Sequence, residues 1–180
     1  MKDAILTAAI EVITLHGLTN WTVEEVANRA HCAKGLVNYH YRSKQALLQR
    51  AAETVRDDRA ARRFAAIQSQ GTRALDRLWD ALYEEVKSGW FGARLSLLAA
   101  DDPLRRAVAD READTAAFAA ALSESLGLGD QLAGQGPLIQ AILDGIQLRL
   151  LQDASREETE EAYNRVWLLL LSENSVNSQP

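Results

Sequence analysis

Several residue types are scarce in this chain of 180 residues, which has one cysteine, three prolines and ten glycines. A single cysteine excludes a disulfide within the chain and a cysteine-based metal site. So few helix-breaking residues, in a composition rich in Ala and Leu, favour an all-α fold. The longest apolar run, Val166 to Leu171, is far shorter than the roughly 20 residues of a membrane-spanning helix. The first residues do not form a signal peptide, so we expect a cytoplasmic protein.

Histidine is equally scarce, and His16, His31 and His40 all lie near the start of the chain. Beyond them the sequence has no histidine and no Glu-x-x-His arrangement, the pattern with which helical bundles hold catalytic metals. The glycine-rich stretch 127–136 has neither the preceding strand nor the Lys-Ser/Thr pair of a phosphate-binding loop. We therefore expect no enzymatic activity, no cofactor and no metal.

The stretch from Thr22 to Leu48 has the most specific pattern in the chain. Thr22 and Glu25 form a capping box, which marks the start of a helix. A second short helix is predicted from Lys34 to about His40, and Ser43 is a good N-cap for a third. Two short helices joined by a tight turn are typical of a helix-turn-helix, whose second helix enters the major groove of DNA.

The distribution of charge agrees with this interpretation, although the net charge of the chain is −5. Residues 1–63 have ten Lys or Arg against seven Asp or Glu, a net charge of +3, whereas residues 64–180 have ten against eighteen, a net charge of −8. No acidic residue occurs between Glu25 and Glu53. A basic first region directs the molecule toward phosphates, which provide much of the affinity in DNA binding.

The first 55 residues resemble the DNA-binding domain of the tetracycline-repressor (TetR) family of bacterial transcription regulators. The resemblance runs from about Ile5 to Val55 and rests on three segments: ILTAAIEVITLHG, TVEEVANRA and AKGLVNYHYRSKQALL. It implies an N-terminal three-helix DNA-binding domain, followed by a helical domain for ligand binding and dimerisation. The remainder of the chain has a suitable size and helical pattern but no diagnostic motif.

The resemblance also implies roles for eight residues of the first domain. Those expected at phosphate or sugar groups are Thr22, Tyr39, His40 and Lys44. Lys34 and Gly35 would begin the recognition helix, where glycine allows close backbone approach, and Leu36 and Asn38 would face the bases.

Three residues depart from the family pattern. His31 stands where the family usually has Gly in the turn, and histidine tolerates a left-handed conformation better than most residues. Ala33 replaces the usual Ser or Thr, which removes a helix cap and a phosphate-contacting hydroxyl. Asn38 replaces a common Tyr and places an adenine-reading amide at a base-facing position. We expect altered sequence preference or affinity but an intact fold.

The pattern predicts about nine helices and three regions: a DNA-binding domain at 1–48, a ligand-binding and dimerisation domain at 49–175, and a frayed tail at 176–180. A long fourth helix is predicted from Lys44 to about Gln70, and a long seventh helix from Asp102 to about Leu126. Two final helices, beginning at Gly136 and after Ser155, are apolar on more than one side.

These last two helices predict a two-fold homodimer in which they form a four-helix bundle. The residues assigned to the interface are Ile139, Ile142, Ile146, Leu150, Val166, Trp167 and Leu170. The alternative is that both helices are central in a monomer.

Aromatic residues of the second domain are candidates for a small-molecule pocket: Trp79, Tyr83, Trp90, Phe91 and Phe118. Such aromatic groups are more often plain core, but the resemblance implies a pocket in this region. The leading hypothesis is a DNA-binding repressor released from an inverted-repeat operator by a small-molecule effector of unknown identity. The alternatives are a DNA-binding protein of the same fold without an effector, either architectural or controlled by another protein, and a small helical enzyme.

Overall fold

The computed structural model describes residues 1–152 and 154–176, with side chains as far as Ser172. The described residues form ten helices and no strand: α1 (Lys2–His16), α2 (Val23–Arg29), α3 (Lys34–His40), α4 (Lys44–Ala66), α5 (Thr72–Lys87), α6 (Trp90–Leu98), α7 (Asp102–Val108), α8 (Glu112–Ser125), α9 (Gly136–Leu151) and α10 (Arg156–Val176). The predicted all-α fold class is therefore confirmed. Of the predicted tail, residues 177–180 lie outside the described residues.

One compact unit, here called the head unit, contains Met1–Ala61 and Lys87–Asp110. Its core is formed mainly by the inward sides of α1 to α4, and α6 and α7 contribute further apolar residues. Helix α6 packs on α1 and begins at Gly89, which has a φ of 81°. A Cβ at Gly89 would collide with the Thr14 methyl group, so the start of α6 requires glycine both for its conformation and for this contact.

The second compact unit, here called the body unit, contains Arg62–Val86 and the residues from Arg111 onward. Its core is built from the apolar sides of α5, α8, α9 and α10, with Leu78, Leu82 and Leu122 fully buried. Helix α8 packs against α9, and α9 packs against α10. The last residues of α4 belong to this unit as well, so α4 contributes to both.

The predicted seventh helix is two helices in the structure, because the chain is extended at Ala109 and Arg111. Between them, the Asp110 carboxylate accepts hydrogen bonds from Arg59 at 2.6 Å and from Arg94 at 2.9 Å. Both guanidinium groups are almost fully buried, and this double ion pair holds Asp110 out of a helix. The head unit also includes residues beyond the predicted boundary at 48, since α6 and α7 pack with the first helices.

Candidate nucleic-acid interface

The start of α2 has the hydrogen bonds that its sequence predicts. The Thr22 hydroxyl accepts a hydrogen bond from the Glu25 amide at 3.1 Å, and the Thr22 amide donates to the Glu25 carboxylate at 2.7 Å. These two hydrogen bonds orient the Thr22 side chain, and Thr22 remains exposed to solvent. Loss of such a cap typically costs about 1 kcal/mol of stability.

The turn between α2 and α3 is left-handed at His31, which has a φ of 51°. The Cys32 amide then donates to the Ala27 carbonyl at 2.9 Å, which closes the turn, and the half-buried Cys32 packs against the head core. Ala33 precedes α3 in an extended conformation and provides no side-chain cap. The expectation that histidine can replace glycine in this turn is therefore confirmed.

Helix α3 has a buried side and an exposed side. Val37 is buried in the core, and Leu36 is half-buried against it. Lys34, Gly35 and Asn38 face solvent with Tyr39, whose side chain is 79% exposed. A Cβ at Gly35 would meet no atom of the chain within 4 Å, so nothing inside the molecule requires glycine there.

Two aromatic residues at the end of α3 have different environments. The Tyr39 ring meets the His40 ring edge-on, with centroids 5.3 Å apart, and both remain accessible. Tyr41 is buried, and its hydroxyl donates to the Lys2 carbonyl at 3.2 Å. Burial raises the pKa of Tyr41, and the nearby Asp3 carboxylate raises it further. Tyr41 therefore anchors α3 to α1, which leaves Tyr39 and His40 for external contacts.

The two lysines of this surface are held differently. Lys34 lies 3.7 Å from the Glu24 carboxylate in an exposed ion pair. The Lys44 ammonium donates to the Trp21 carbonyl at 2.8 Å and lies 4.2 Å from the centroid of the Trp21 ring. The Trp21 side chain is 2% exposed and belongs to the head core.

The structure thus brings the predicted DNA-contacting residues together on α3 and on the starts of α2 and α4: Thr22, Lys34, Gly35, Leu36, Asn38, Tyr39, His40 and Lys44. Leu36 is half-buried because it also packs against the head core. Trp21 is the residue that the sequence pattern missed. Its carbonyl contact with Lys44 has no signature in residue type or spacing.

The predicted pocket residues are divided between the two units. Trp90 and Phe91 belong to the head unit, whereas Trp79, Tyr83 and Phe118 belong to the body unit. Phe91, Trp79 and Phe118 are buried core side chains. A cavity of about 210 Å³ in the head unit is lined by Trp90, Glu11, Thr14, Leu15, Arg29 and Ser88. The sequence-based grouping of all five residues rested on aromatic character, which does not distinguish the cores of two units.

The seven residues predicted at the dimer interface lie in two kinds of environment. Ile139, Ile146 and Trp167 lie in the core of the body unit, 1%, 6% and 2% exposed. Ile142, Leu150, Val166 and Leu170 are half-buried. The exposed apolar surface of these helices contains Leu138, Leu148, Leu151, Leu168 and Leu169, here called the leucine face. Helical spacing predicts that each of these helices has more than one apolar side, but it does not show which side is buried by the rest of the chain.

In the part of the chain that the structure describes, no helix is long and apolar enough to cross a membrane. Over the same residues, no three His, Cys, Asp or Glu side chains are grouped in a way that could hold a metal ion.

Comparison with known proteins agrees with this geometry. Residues 5–51 match the family model of bacterial regulatory proteins of the tetR family. No curated protein matches the chain. Among solved structures, a putative TetR-family transcriptional regulator from Rhodococcus sp. is 21% identical with a TM-score of 0.74, and the alignment covers 94% of this chain and 97% of that one. A TetR-family regulator from Streptomyces coelicolor is 17% identical with a TM-score of 0.73, covering 96% and 95%. One from Marinobacter aquaeolei is 19% identical with a TM-score of 0.64, covering 92% and 93%.

The exposed helix-turn-helix and the match of residues 5–51 define a DNA-binding domain of the kind found in bacterial transcriptional regulators. The family model covers the first domain, and the structural likenesses extend the same fold over nearly the whole chain. The chain is thus similar to TetR-family transcriptional regulators in its first domain and in its fold.

Proposed function

We propose that this protein is a homodimeric repressor that binds an inverted-repeat operator with one α3 helix in each half-site. The observation that carries this proposal is the exposed side of α3, where Asn38 and Tyr39 lie about one helical turn after Gly35, a glycine that the chain itself does not need. Glycine in a helix costs roughly 1 kcal/mol relative to alanine. Close approach of a DNA backbone to Gly35 would account for that cost.

Within this proposal, Asn38 and Leu36 face the bases, and the other residues of the surface position the helix. The asparagine amide can donate to and accept from adenine in the major groove, which is a sequence-specific contact. Thr22, Tyr39, His40 and Lys44 reach phosphate or sugar groups, which fix the register but do not read sequence. Lys34 begins the recognition helix and contacts phosphate after exchanging its exposed partner, Glu24.

The leucine face supports the homodimer. Leu168 is 69% exposed and Leu169 is 58% exposed, and both lie on a helix packed beside α9. Gly145 on α9 is exposed and has no atom of the chain within 4 Å of a built Cβ. A second copy packed closely on α9 would bury the leucines and make use of this glycine. Two-fold symmetry would then present two α3 helices to successive major grooves.

Release by a small-molecule effector is the second part of the proposal. In the body unit the Trp79 ring lies beside Tyr83 and Tyr163, with centroids 6.4 Å and 5.4 Å away. The buried Trp79 indole N–H has no hydrogen-bond partner among the described residues. An effector with an aromatic or cationic group and an acceptor atom would suit this cluster, favouring a conformation with lower affinity for DNA.

Selection of bound sites from random duplex DNA tests the first part. We expect an inverted repeat, and titrations on the selected site should show that Asn38→Ala costs about 1–3 kcal/mol and relaxes preference at one base pair. Lys44→Ala should weaken binding to all sequences and reduce the salt slope by about one unit per subunit. If neither variant changes affinity for the selected site, the groove assignment is wrong.

One observation favours a second candidate, a DNA-binding protein of this fold without an effector. Trp79 and Phe118 are buried in the core of the body unit, as plain core side chains would be. Thermal-shift measurements with aromatic and cationic compounds distinguish the two candidates. A ligand at 100 times its dissociation constant stabilises the protein by about 2.7 kcal/mol. A stabilising compound that also releases DNA supports the effector, whereas stabilisation without release favours the second candidate.

A further inference from the structure

We propose that Trp21 is a positioning residue for DNA binding, because it holds the Lys44 ammonium in place before a phosphate arrives. This inference rests on the proposed function and adds a residue to it. Trp21 itself faces the core and does not touch DNA in this proposal.

Two separate contacts from Trp21 hold the same ammonium group. The backbone carbonyl accepts a hydrogen bond at 2.8 Å, and the ring lies under the charge at 4.2 Å. The ring is fixed because its side chain is 2% exposed within the head core. A free lysine has high rotamer entropy, much of which is lost when it binds a phosphate. At Lys44, part of this rotamer entropy is lost when the chain folds, so less of it is lost when a phosphate binds.

The arrangement leaves Lys44 capable of binding an anion. An ammonium group has three donors, and the carbonyl occupies one of them while the ring occupies none. The structure shows no carboxylate paired with Lys44 among the described residues, in contrast to Lys34 beside Glu24. The carbonyl that holds Lys44 directly precedes Thr22, an exposed residue whose hydroxyl donates to the Glu25 carboxylate at 3.1 Å. A phosphate bound by Lys44 would be shared with Thr22 once this hydroxyl exchanges the carboxylate for the phosphate.

A double-mutant cycle on the selected DNA site tests the proposal. Loss of a cation–π contact at an exposed site corresponds to about a two- to fivefold change in affinity per subunit. We expect Trp21→Leu to weaken binding by this factor, and Trp21→Phe, which keeps an aromatic face, to recover most of it. In a Lys44→Ala background, Trp21→Leu should have no further effect, because its role passes through Lys44.

Lys34→Ala provides the matched control, since Lys34 lies on the same surface and pairs with Glu24 at 3.7 Å. The effects of Trp21→Leu and Lys34→Ala should simply multiply. If Trp21→Leu weakens binding equally with or without Lys44, its role is only structural and the proposal fails. Tighter binding by Trp21→Leu would overturn it too, by showing that Trp21 withholds Lys44 from DNA.

A measurement on the unmodified protein covers the case in which Trp21→Leu does not fold. In nuclear magnetic resonance spectra, the Lys44 methylene protons near the ammonium should be shifted upfield by the Trp21 ring, and should stay shifted when DNA is added. Methylene shifts at ordinary lysine values would overturn the proposal. Absence of any selected DNA site would reject the proposed function itself, whereas a bound site without coupling between Trp21 and Lys44 rejects only this inference.

Discussion

The exposed side of α3 and the leucine face on α9 and α10 are opposite kinds of surface. Helix α3 turns its apolar Val37 inward and presents a lysine, a glycine, an amide and a phenol to solvent. On α9 and α10 it is leucines that face outward, and they make up five of the eight large hydrophobic residues exposed in the described part of the chain. A polar, basic surface suits a charged polymer, whereas grouped apolar side chains indicate a protein partner.

The body unit has leucines on its outside, and it also has polar side chains in its interior. Arg63 donates to Gln147 at 2.7 Å and to Gln140 at 2.9 Å, and Gln147 donates to the Glu85 carboxylate at 2.8 Å. These contacts join α4, α5 and α9. A network of this kind is costly unless every member is paired, so it constrains how the three helices can pack. Helix α9, which carries part of the leucine face, is thus held to α4 and α5 by buried polar contacts.

The largest expected effect distinguishes the inner from the outer leucines of the body unit. Leu78→Ala removes a fully buried side chain and should lower the free energy of unfolding by about 2–5 kcal/mol. Leu148→Ala, measured in a monomeric background, should change it by less than about 0.5 kcal/mol, because Leu148 is 43% exposed. Urea denaturation of both variants measures these changes. Equal losses of unfolding free energy would contradict the assignment of Leu148 to an exposed face.

Breaking the proposed dimer is the next largest effect. Leu168→Glu places a charge in the interface and should raise the dimer dissociation constant at least a hundredfold, about 2.7 kcal/mol. Sedimentation equilibrium measures this directly. Leu15→Glu is the matched control, since Leu15 is 60% exposed on α1 in the head unit and should leave the dimer unchanged. A wild-type chain that is monomeric at micromolar concentration would contradict the prediction.

A smaller effect is expected from substitution of two of the helical glycines that have open space around them. Gly35→Ala and Gly145→Ala should each stabilise their own helix by about 0.5–1 kcal/mol, since no neighbouring atom opposes the new methyl group. Gly35→Ala should weaken DNA binding without changing the oligomeric state, and Gly145→Ala should weaken only the dimer. Thermal unfolding, DNA titration and sedimentation on both variants test the pair. Unchanged DNA affinity in Gly35→Ala would remove the argument from close backbone approach.

Substitution of Tyr163, the buried tyrosine of the body unit, is expected to have the smallest effect near neutral pH. Burial raises the pKa of Tyr163 above the ordinary value of 10.0, and its hydroxyl donates to the Leu75 carbonyl at 2.8 Å. Above pH 10 the unfolded chain releases this proton while the folded chain keeps it, so stability falls as pH rises. Tyr163→Phe should therefore have a flatter stability curve between pH 10 and 12. Identical slopes would show that Tyr163 is solvated.

Local signals in the sequence were sufficient for the first three helices. The bounds of α1 and α3, the capping box at Thr22 and the left-handed His31 all follow from residue type and short spacing. These features depend on neighbours within a few residues, which a single sequence displays.

Features that depend on distant partners were not predictable in this way. The break at Asp110 is set by Arg59 and Arg94, which lie on other helices. The clamp on Lys44 uses a backbone carbonyl, which every residue has. The outward side of α9 depends on which neighbours cover its other side, and both sides are apolar. The eight residues of the candidate nucleic-acid interface were predicted because they match the motif that carries the family resemblance, whereas no such motif exists for the leucine face.

The leucine face has a consequence for how such a regulator would behave in a cell. In the proposed homodimeric repressor, two copies must meet before both half-sites of an operator can be filled, so operator occupancy at low abundance would rise with the square of the number of chains. A modest change in synthesis then produces a sharper change in transcription than a monomer would give. The same exposed leucines that favour pairing would thus set a threshold number of molecules below which the gene stays on.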